Sequence, residues 1–320
     1  MNGGQDKMSL KMAPYQSRGK EPYVFRTEKP EGLLGVHADL IAGALTPEEK
    51  LYYLLYAPIR QTDQVRFGIE AEPASHAVAV TSKRFIVSKD HHVGGIPPTV
   101  ETIPFSTVIR VEYGNALLLG WFVIHHVAEG VISRVSMTYT ATGNQHFASV
   151  IREYRRLTLG YSTDPVSAEN PLWIGIFGQT AKPQLEMLKP IITEGERPSH
   201  VFRSSEIWGA GKKRRRKACL ATEGIFVATD HGLIHAIDDH ALSPKMLTFG
   251  VNICCIPMDA LLGAAHIEKL VHGHRLSFLQ LEIGRGHIKT LYELSFDEKR
   301  SDNSQHFITE VRDKYTERMT

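Results

Sequence analysis

The stretch AVAVTSKRFIVS, from Ala77 to Ser88, decides the fold. Its two short apolar runs are joined by the polar tetrapeptide Thr81–Arg84. Short runs rich in β-branched and aromatic residues, separated by a polar turn, are typical of antiparallel strands. Similar runs surround the stretch: Leu51–Ile59, Val65–Ile69, Thr107–Tyr113, Leu117–Val127 and Ser133–Thr140. The sequence therefore predicts a β-hairpin within a mainly β (α+β) fold.

A helical pattern follows the last of these runs. Five apolar residues recur at helical spacing: Phe147, Val150, Ile151, Tyr154 and Leu157. Asn144 is a suitable N-cap residue just before them. A small barrel leaves one end of its core open to water, and an amphipathic helix can close that end. We therefore expect antiparallel strands capped by one C-terminal helix.

Four short segments recur later in the chain in the same order. The pairs are Thr46–Lys50 with Thr193–Arg197, Ala77–Ser88 with Ala218–Thr229, Ile103–Phe105 with Ile256–Met258, and Gln145–Phe147 with Gln305–Phe307. Four collinear matches indicate that one unit occurs twice. The repeat is too long for a solenoid, whose units run about 20–50 residues, and so predicts a duplicated domain.

The composition suggests where the domains begin and end. Residues 1–44 are rich in Gly, Lys, Pro and Gln, which predicts a partly disordered arm with a short ordered piece near Val36–Ala44. The first domain is expected over residues 45–158. Residues 159–190 contain four prolines and are predicted to be a linker. The second domain is expected over residues 191–320.

Three segments resemble bacterial pleckstrin-homology-like (PH-like) domains. They are the hairpin Val78–Val87, the segment Ile103–Glu112 and the opening Leu45–Lys50. The resemblance implies two PH-like antiparallel barrels, each capped by a C-terminal helix. It also implies a binding or scaffold role, with no catalytic residue and no cofactor.

The strongest local signal is a run of six consecutive cations. They are Lys212, Lys213, Arg214, Arg215, Arg216 and Lys217. The run cannot lie inside a barrel, because alternate residues of a strand would point inward. The resemblance places it in the first strand–strand loop of the second unit, where PH folds hold phosphoinositide headgroups. We therefore predict a site for anionic lipid or phosphate groups.

Two other interpretations of the basic run stay open. It can be an ordinary solvated loop, or it can bind an acidic protein or a nucleic acid. Nucleic-acid binding ranks lower because base stacking needs aromatic residues and only Trp208 is near. The predicted partners are therefore an anionic membrane surface or an acidic protein.

The segment Leu117–Ile124 is apolar on both alternating faces, although a small barrel buries only one face of a strand. The other face is expected to meet the second domain, the linker or a second subunit of a homo-oligomer. The alternative is that part of the segment turns inside one barrel. The apolar linker segment Leu172–Phe177 is expected to pack against one domain. The predicted interface residues are Leu118, Trp121, Phe122, Ile124, Trp173 and Phe177.

Bulk properties favour a cytoplasmic protein, peripheral to the membrane if the lipid site is used. The formal net charge is +2, so no strong overall field attracts nucleic acid. The three cysteines form no CxxC motif and are expected to be reduced thiols. No apolar signal region begins the sequence, and no apolar run reaches the about 18 residues of a membrane span.

The sequence offers little chemistry for catalysis. The chain has no Gly-x-Ser-x-Gly elbow and no phosphate-cradling Gly-x-x-x-x-Gly-Lys-[Ser/Thr] loop. Sixteen histidines include the pair His272 and His274, yet Phe278 and Leu279 stand where a further metal ligand is expected. We therefore predict a non-enzymatic protein without a bound metal. A metalloenzyme built on histidines is the less favoured alternative.

Overall fold

The computed structural model describes the parts of the chain that carry the sheets and most of the helices. The described residues are 23–59, 74–91, 95–116, 118–160, 166–167, 170–178, 180, 182–204, 206–210, 217–230, 232–238, 250–271, 273–296 and 309. Their fold is mainly β and all strand pairs are antiparallel. The mainly β prediction is therefore confirmed.

The described residues include four short or medium α-helices, one after the first strand and three between the eighth and ninth strands. The helices are α1 (His37–Ala44), α2 (Asn144–Leu159), α3 (Ile174–Phe177) and α4 (Lys182–Leu188). Strands of the first half are β1 (Phe25–Arg26), β2 (Leu51–Ala57), β3 (Ser75–Thr81), β4 (Arg84–Asp90), β5 (Thr99–Pro104), β6 (Val108–Ala116), β7 (Leu119–Ala128) and β8 (Val131–Thr140). Strands of the second half are β9 (Pro198–Ser204), β10 (Ile207–Ala210), β11 (Lys217–Ala221), β12 (Gly224–Thr229), β13 (Gly232–Asp238), β14 (Gly250–Pro257), β15 (Leu261–Val271), β16 (His274–Arg285) and β17 (Ile288–Phe296).

The central sheet has seven strands and belongs to both halves. Its order is β8-β7-β6-β14-β13-β12-β9, so β6 of the first half pairs with β14 of the second. The pairing runs from Ala116 opposite Gly250 to Val111 opposite Cys255. A five-stranded sheet of β1 to β5, a three-stranded sheet of β15 to β17 and the hairpin β10–β11 complete the described sheets.

The predicted closure into two barrels is not found among the described strands. The sheets stay open, and the edges of β6 and β14 satisfy each other across the two halves. The physical reason is that an edge strand carries unpaired backbone N–H and C=O groups, and pairing with any suitable edge satisfies them. The finer PH-like assignment therefore remains a proposal.

The helix predicted after the last strand of the first half is confirmed as α2. Its apolar face is buried, and the Phe147 ring stacks on Tyr139 with the centroids 3.9 Å apart. The predicted N-cap is one residue late, because Asn144 is already helical and Gly143 is the N-cap. The equivalent helix predicted near residues 305–317 lies outside the described residues, except for Thr309. The predicted strand Val65–Ile69 also lies outside them.

The two halves share one hairpin turn. In the first half the Thr81 hydroxyl donates to the carbonyl of Arg84 at 3.0 Å. In the second half the Thr229 hydroxyl donates to the carbonyl of Gly232 at 3.3 Å. These contacts make Thr81 the equivalent of Thr229. The predicted match is therefore wrong in register: Ala77–Ser88 corresponds to Ile225–Ala236, not to Ala218–Thr229.

Two short helices pack on the sheets, α1 in a separate cluster of the first half and α4 in the main core that contains α2. The ordered piece predicted near Val36–Ala44 is confirmed by α1, whose His37 ring lies 2.7 Å from the Ser88 hydroxyl and 2.8 Å from that of Ser75. In the second half, Gln184 of α4 donates to the Asp238 carboxylate at 3.0 Å. The helix α4 falls in the segment predicted as a linker, so that segment includes a packed element.

The apolar part of the predicted linker packs as expected. Trp173 and Phe177 are buried, with their ring centroids 5.7 Å apart. The Trp173 indole N–H donates to the carbonyl of Glu196 at 2.9 Å. Leu172 and Ile174 of the same segment are about half exposed.

Candidate functional site

The basic run lies between two paired strands of the second half. Residues Lys212 to Arg216 fall outside the described residues, and Lys217 is the first residue of β11. The strands β10 and β11 pair up to Ala210 opposite Lys217. The hairpin lies between β9 and β12 in the sequence but forms a separate two-stranded sheet. It is therefore an addition to the strand order that the two halves share.

The described base of the hairpin is anchored on the three-stranded sheet. Leu220 of β11 is buried, and its carbonyl accepts a hydrogen bond from the Ser295 hydroxyl of β17 at 3.4 Å. Trp208 of β10 is 41 % exposed. The strands on either side of the basic run are therefore held to the body of the second half, with one aromatic side chain open to solvent.

The apolar segment around Trp121 forms part of the junction between the halves. The Trp121 indole N–H donates to the side-chain oxygen of Asn252 on β14 at 2.9 Å. The Trp121 ring lies over Gly114, where any Cβ would come within 2.3 Å of the ring. A glycine is therefore needed at this position of β6.

The other predicted interface residues lie in different places. Phe122 and Ile124 point to the opposite face of β7 and pack in the core beneath α2, where Phe122 lies 5.1 Å from Phe147. Leu118 was expected to be covered, but it is 70 % exposed. Leu118 lies just before β7 begins, so the strand's alternation of buried and exposed side chains does not apply to it. Trp173 and Phe177 are buried in the chain, as described above.

A buried ion pair also joins the halves, and the sequence did not reveal it. Arg155 of α2 pairs with Glu196, which lies just before β9, and both side chains are almost fully buried. Arg155 also donates to the carbonyl of Ile191 at 3.0 Å. Glu196 accepts a second hydrogen bond from the backbone N–H of Thr193 at 3.4 Å. The pair is thus fixed by backbone contacts on its second-half side.

The same turn occurs in the first half with a different partner. Glu49 accepts from the backbone N–H of Thr46 at 3.2 Å, as Glu196 does from Thr193. Its carboxylate binds the Arg84 guanidinium through two hydrogen bonds of 2.7 Å. The shared Thr-x-x-Glu spacing was visible in the sequence. It indicated the turn but could not indicate which arginine each glutamate binds.

A row of polar side chains lies between the central sheet and the three-stranded sheet. His235 is 3.0 Å from the Tyr292 hydroxyl, and Cys254 lies opposite His235 on the neighbouring strand. Burial raises the pKa of the Cys254 thiol well above its usual value and lowers the pKa of His235 well below. Because the thiolate is the nucleophilic form of cysteine, a neutral thiol beside a neutral imidazole has little nucleophilic power.

The histidines give no evidence of a metal centre in the described part of the chain. No group of three or more His, Cys, Asp or Glu side chains there could hold an ion. Five histidines lie outside the described residues: His92, His231, His240, His272 and His306. The prediction that no metal binds therefore stays a prediction.

Comparison with known proteins identifies no family. No protein-family model matches the chain, and no curated protein matches it. None of the helices among the described residues is long and apolar enough to cross a bilayer.

Proposed function

We propose that the chain is a non-enzymatic binding or scaffold protein made of two PH-like units. In this proposal it works in the bacterial cytoplasm, at the membrane surface, and needs no cofactor. It binds anionic lipid headgroups or phosphate through Lys212–Lys217. Support comes from the strand order of the halves, which is four strands, a 3-10 turn and three strands in each, apart from the added hairpin and β1.

The position of the basic run carries the proposal. The run connects β10 and β11, which form a hairpin outside the shared strand order and are anchored at their base. Six like charges in one short segment repel each other, and a nearby anion relieves that repulsion. Each Lys or Arg near an anionic leaflet contributes on the order of 1 kcal/mol. The run therefore supports weak binding to an anionic surface.

The junction between the halves supports the scaffold part of the proposal. The continuous pairing of β6 with β14 and the buried Arg155–Glu196 pair tie the halves together at two separate places. A sheet shared by the two halves suits a protein that brings two binding surfaces together.

We expect a variant with Ser at Lys213, Arg214, Arg215 and Arg216 to lose most of its binding to anionic vesicles. Four cations contribute about 4 kcal/mol near such a surface, and salt weakens the attraction because the Debye length is about 3 Å at 1 M. The measurement is co-sedimentation with vesicles of phosphatidylcholine containing phosphatidylserine, at low and high salt.

A matched control removes the same charge elsewhere. It carries Ser at Lys29, Lys83, Lys182 and Arg275, all of which are exposed. We expect it to bind like the parent protein. Equal binding by the two variants would show a response to net charge alone, and no binding by the parent would leave the run a solvated loop. Preference for an oligonucleotide over vesicles would favour the nucleic-acid interpretation.

Self-assembly through apolar strand faces is the second candidate. Exposed Leu270 and Leu291 favour it, because they leave apolar surface on the three-stranded sheet. Trp121 disfavours it, because its apolar face is already covered within one chain. Light scattering on the purified protein distinguishes the two candidates: self-assembly requires a mass above that of one chain.

A further inference from the structure

A cleft of about 300 Å³ lies where the two halves meet. Its walls come from two equivalent 3-10 turns, Phe105–Thr107 of the first half and Met258–Ala260 of the second. The C-terminal end of α2 and the end of β16 complete it. The volume is at the lower end of the range for small-molecule sites. The cleft is separate from the basic run and does not depend on the function proposed above.

One end of the cleft carries a fixed guanidinium. Arg285 donates to the carbonyl of Val108 through Nε at 3.1 Å and Nη2 at 2.7 Å. Its Nη1 pairs with Asp259 at 2.7 Å. The Arg285 side chain is 17 % exposed, whereas that of Asp259 is 62 % exposed. Exposed ion-pair partners contribute little to stability, so Asp259 can give up its place to another carboxylate at small cost.

A tyrosine hydroxyl lines the same cleft. Tyr154 is 2 % exposed as a whole residue, and the charges of Arg285 and Asp259 both act on its pKa, which places these groups near it. Its ring is held by Phe85 and Phe105, each with its centroid 5.1 Å away. Burial raises the pKa of Tyr154, so the phenol stays protonated and can donate. A phenol that lines a cleft can donate its proton to a ligand or to water bound there.

The rest of the lining is apolar. Phe105 and Met258 are buried and face the cleft from the two 3-10 turns. Leu159 lies at the end of α2 and is partly buried. The cleft therefore combines two hydrogen-bond donors, Arg285 and Tyr154, with apolar walls large enough for a single ring or a short chain.

We propose that this cleft binds a small organic carboxylate with an apolar body. The carboxylate exchanges with Asp259 on Arg285 and accepts a hydrogen bond from Tyr154. The body lies against Phe105, Met258 and Leu159. Two hydrogen-bond donors in one cleft favour an anionic oxygen pair, and the apolar walls disfavour inorganic phosphate.

The test uses benzoate as the probe, with benzamide and inorganic phosphate for comparison. Binding is followed by isothermal titration and by ligand-observed NMR on the full chain. We expect benzoate to bind in the millimolar range, and benzamide and phosphate to bind at least about tenfold more weakly, since each lacks the charge or the apolar body.

Two variants should shift the affinity in opposite directions. Tyr154→Phe removes only the hydroxyl and should weaken benzoate binding about tenfold. Asp259→Asn removes the competing carboxylate and should strengthen binding by about two- to fivefold. Tyr23→Phe, at an exposed tyrosine outside the cleft, serves as the control and should change nothing.

Several outcomes would overturn the proposal. They are no benzoate binding, equal binding of benzoate and phosphate, an unchanged affinity in Tyr154→Phe, or weaker binding in Asp259→Asn. If Tyr154→Phe proves unstable, the benzoate affinity of Asp259→Asn is sufficient to test the proposal. The Asp259 side chain is exposed, so its replacement leaves the core intact. The opposite signs separate a binding role from general loss of structure.

Discussion

Replacing Glu196 with Gln is expected to destabilise the protein by about 3–5 kcal/mol. The change leaves the Arg155 guanidinium almost fully buried without its counter-charge, and removing one partner of a buried ion pair costs about this much. Urea unfolding followed by circular dichroism measures the loss. A single transition shifted to lower urea is the expected result, because the pair joins the two halves.

The equivalent turn of the first half supplies the matched control. Glu49→Gln breaks the pair with Arg84, whose side chain is 21 % exposed and so stays in contact with water. The Glu49 side chain is itself 2 % exposed, so we expect a cost of about 1–3 kcal/mol, smaller than at Glu196 because the Arg84 guanidinium left behind can be hydrated. The double variant Glu196→Gln with Arg155→Met should recover much of the loss, because it removes the stranded charge. Equal losses for Glu196→Gln and Glu49→Gln would contradict the idea that burial sets the cost.

Acid is expected to weaken the fold well before the carboxylates titrate. His76 is 1 % exposed, and burial lowers its pKa to about 3, with the positive charges of Lys89, His37 and His91 adding to the effect. Neither ring nitrogen has a hydrogen bond of good geometry within the described chain, and the backbone of Ala74 offsets the shift only in part.

The sign follows from proton binding in the two states. An unfolded chain protonates this histidine near pH 6.5, whereas the folded chain does so only near pH 3. Below pH 6.5 the unfolded state therefore binds more protons, and stability falls as the pH falls. The free energy of unfolding falls by up to about 1.4 kcal/mol per pH unit, and by on the order of 4 kcal/mol in total at pH 3. His235, whose pKa is also lowered by burial, adds to it.

The measurement is the urea midpoint between pH 7 and pH 4.5. His76→Leu should reduce the slope of unfolding free energy against pH by the contribution of about one proton, because leucine is similar in size and cannot titrate. His274→Leu, at an exposed histidine, should leave the slope as it is in the parent. A His76→Leu variant with the parent's slope would show that this residue does not carry the acid sensitivity.

Local patterns predicted the local elements well. The turn at Thr81 and the helix α2 depend on neighbouring residues, so hairpin chemistry and helical spacing were sufficient. The register error arose because Ala221-Thr222 and Ala228-Thr229 both end a short apolar run. Only the contact of Thr229 with Gly232 distinguishes them, and that contact exists in the folded chain alone.

Long-range features were beyond the sequence pattern. The pairing of β6 with β14 depends on which strand edges stay unpaired within each half. The alternation of apolar and polar residues within one strand does not identify its partner across the halves. The partner of Glu196 was missed for a similar reason, since Arg155 lies on a helix of the other half. The cleft went unseen because its walls come from four separate segments. Of the two candidate binding sites, only the basic run was visible in the sequence.

The shared sheet has a consequence for how the protein is made. The residues of β6 leave the ribosome roughly 140 residues before their partners in β14. At about 5–20 residues per second, the edge of β6 waits about 7–30 s for its neighbour. During that time the nascent chain presents an unsatisfied strand edge, which is a template for pairing with other chains. Slow translation of the segment between the halves would lengthen this exposure and raise the fraction of chains that aggregate before they are complete.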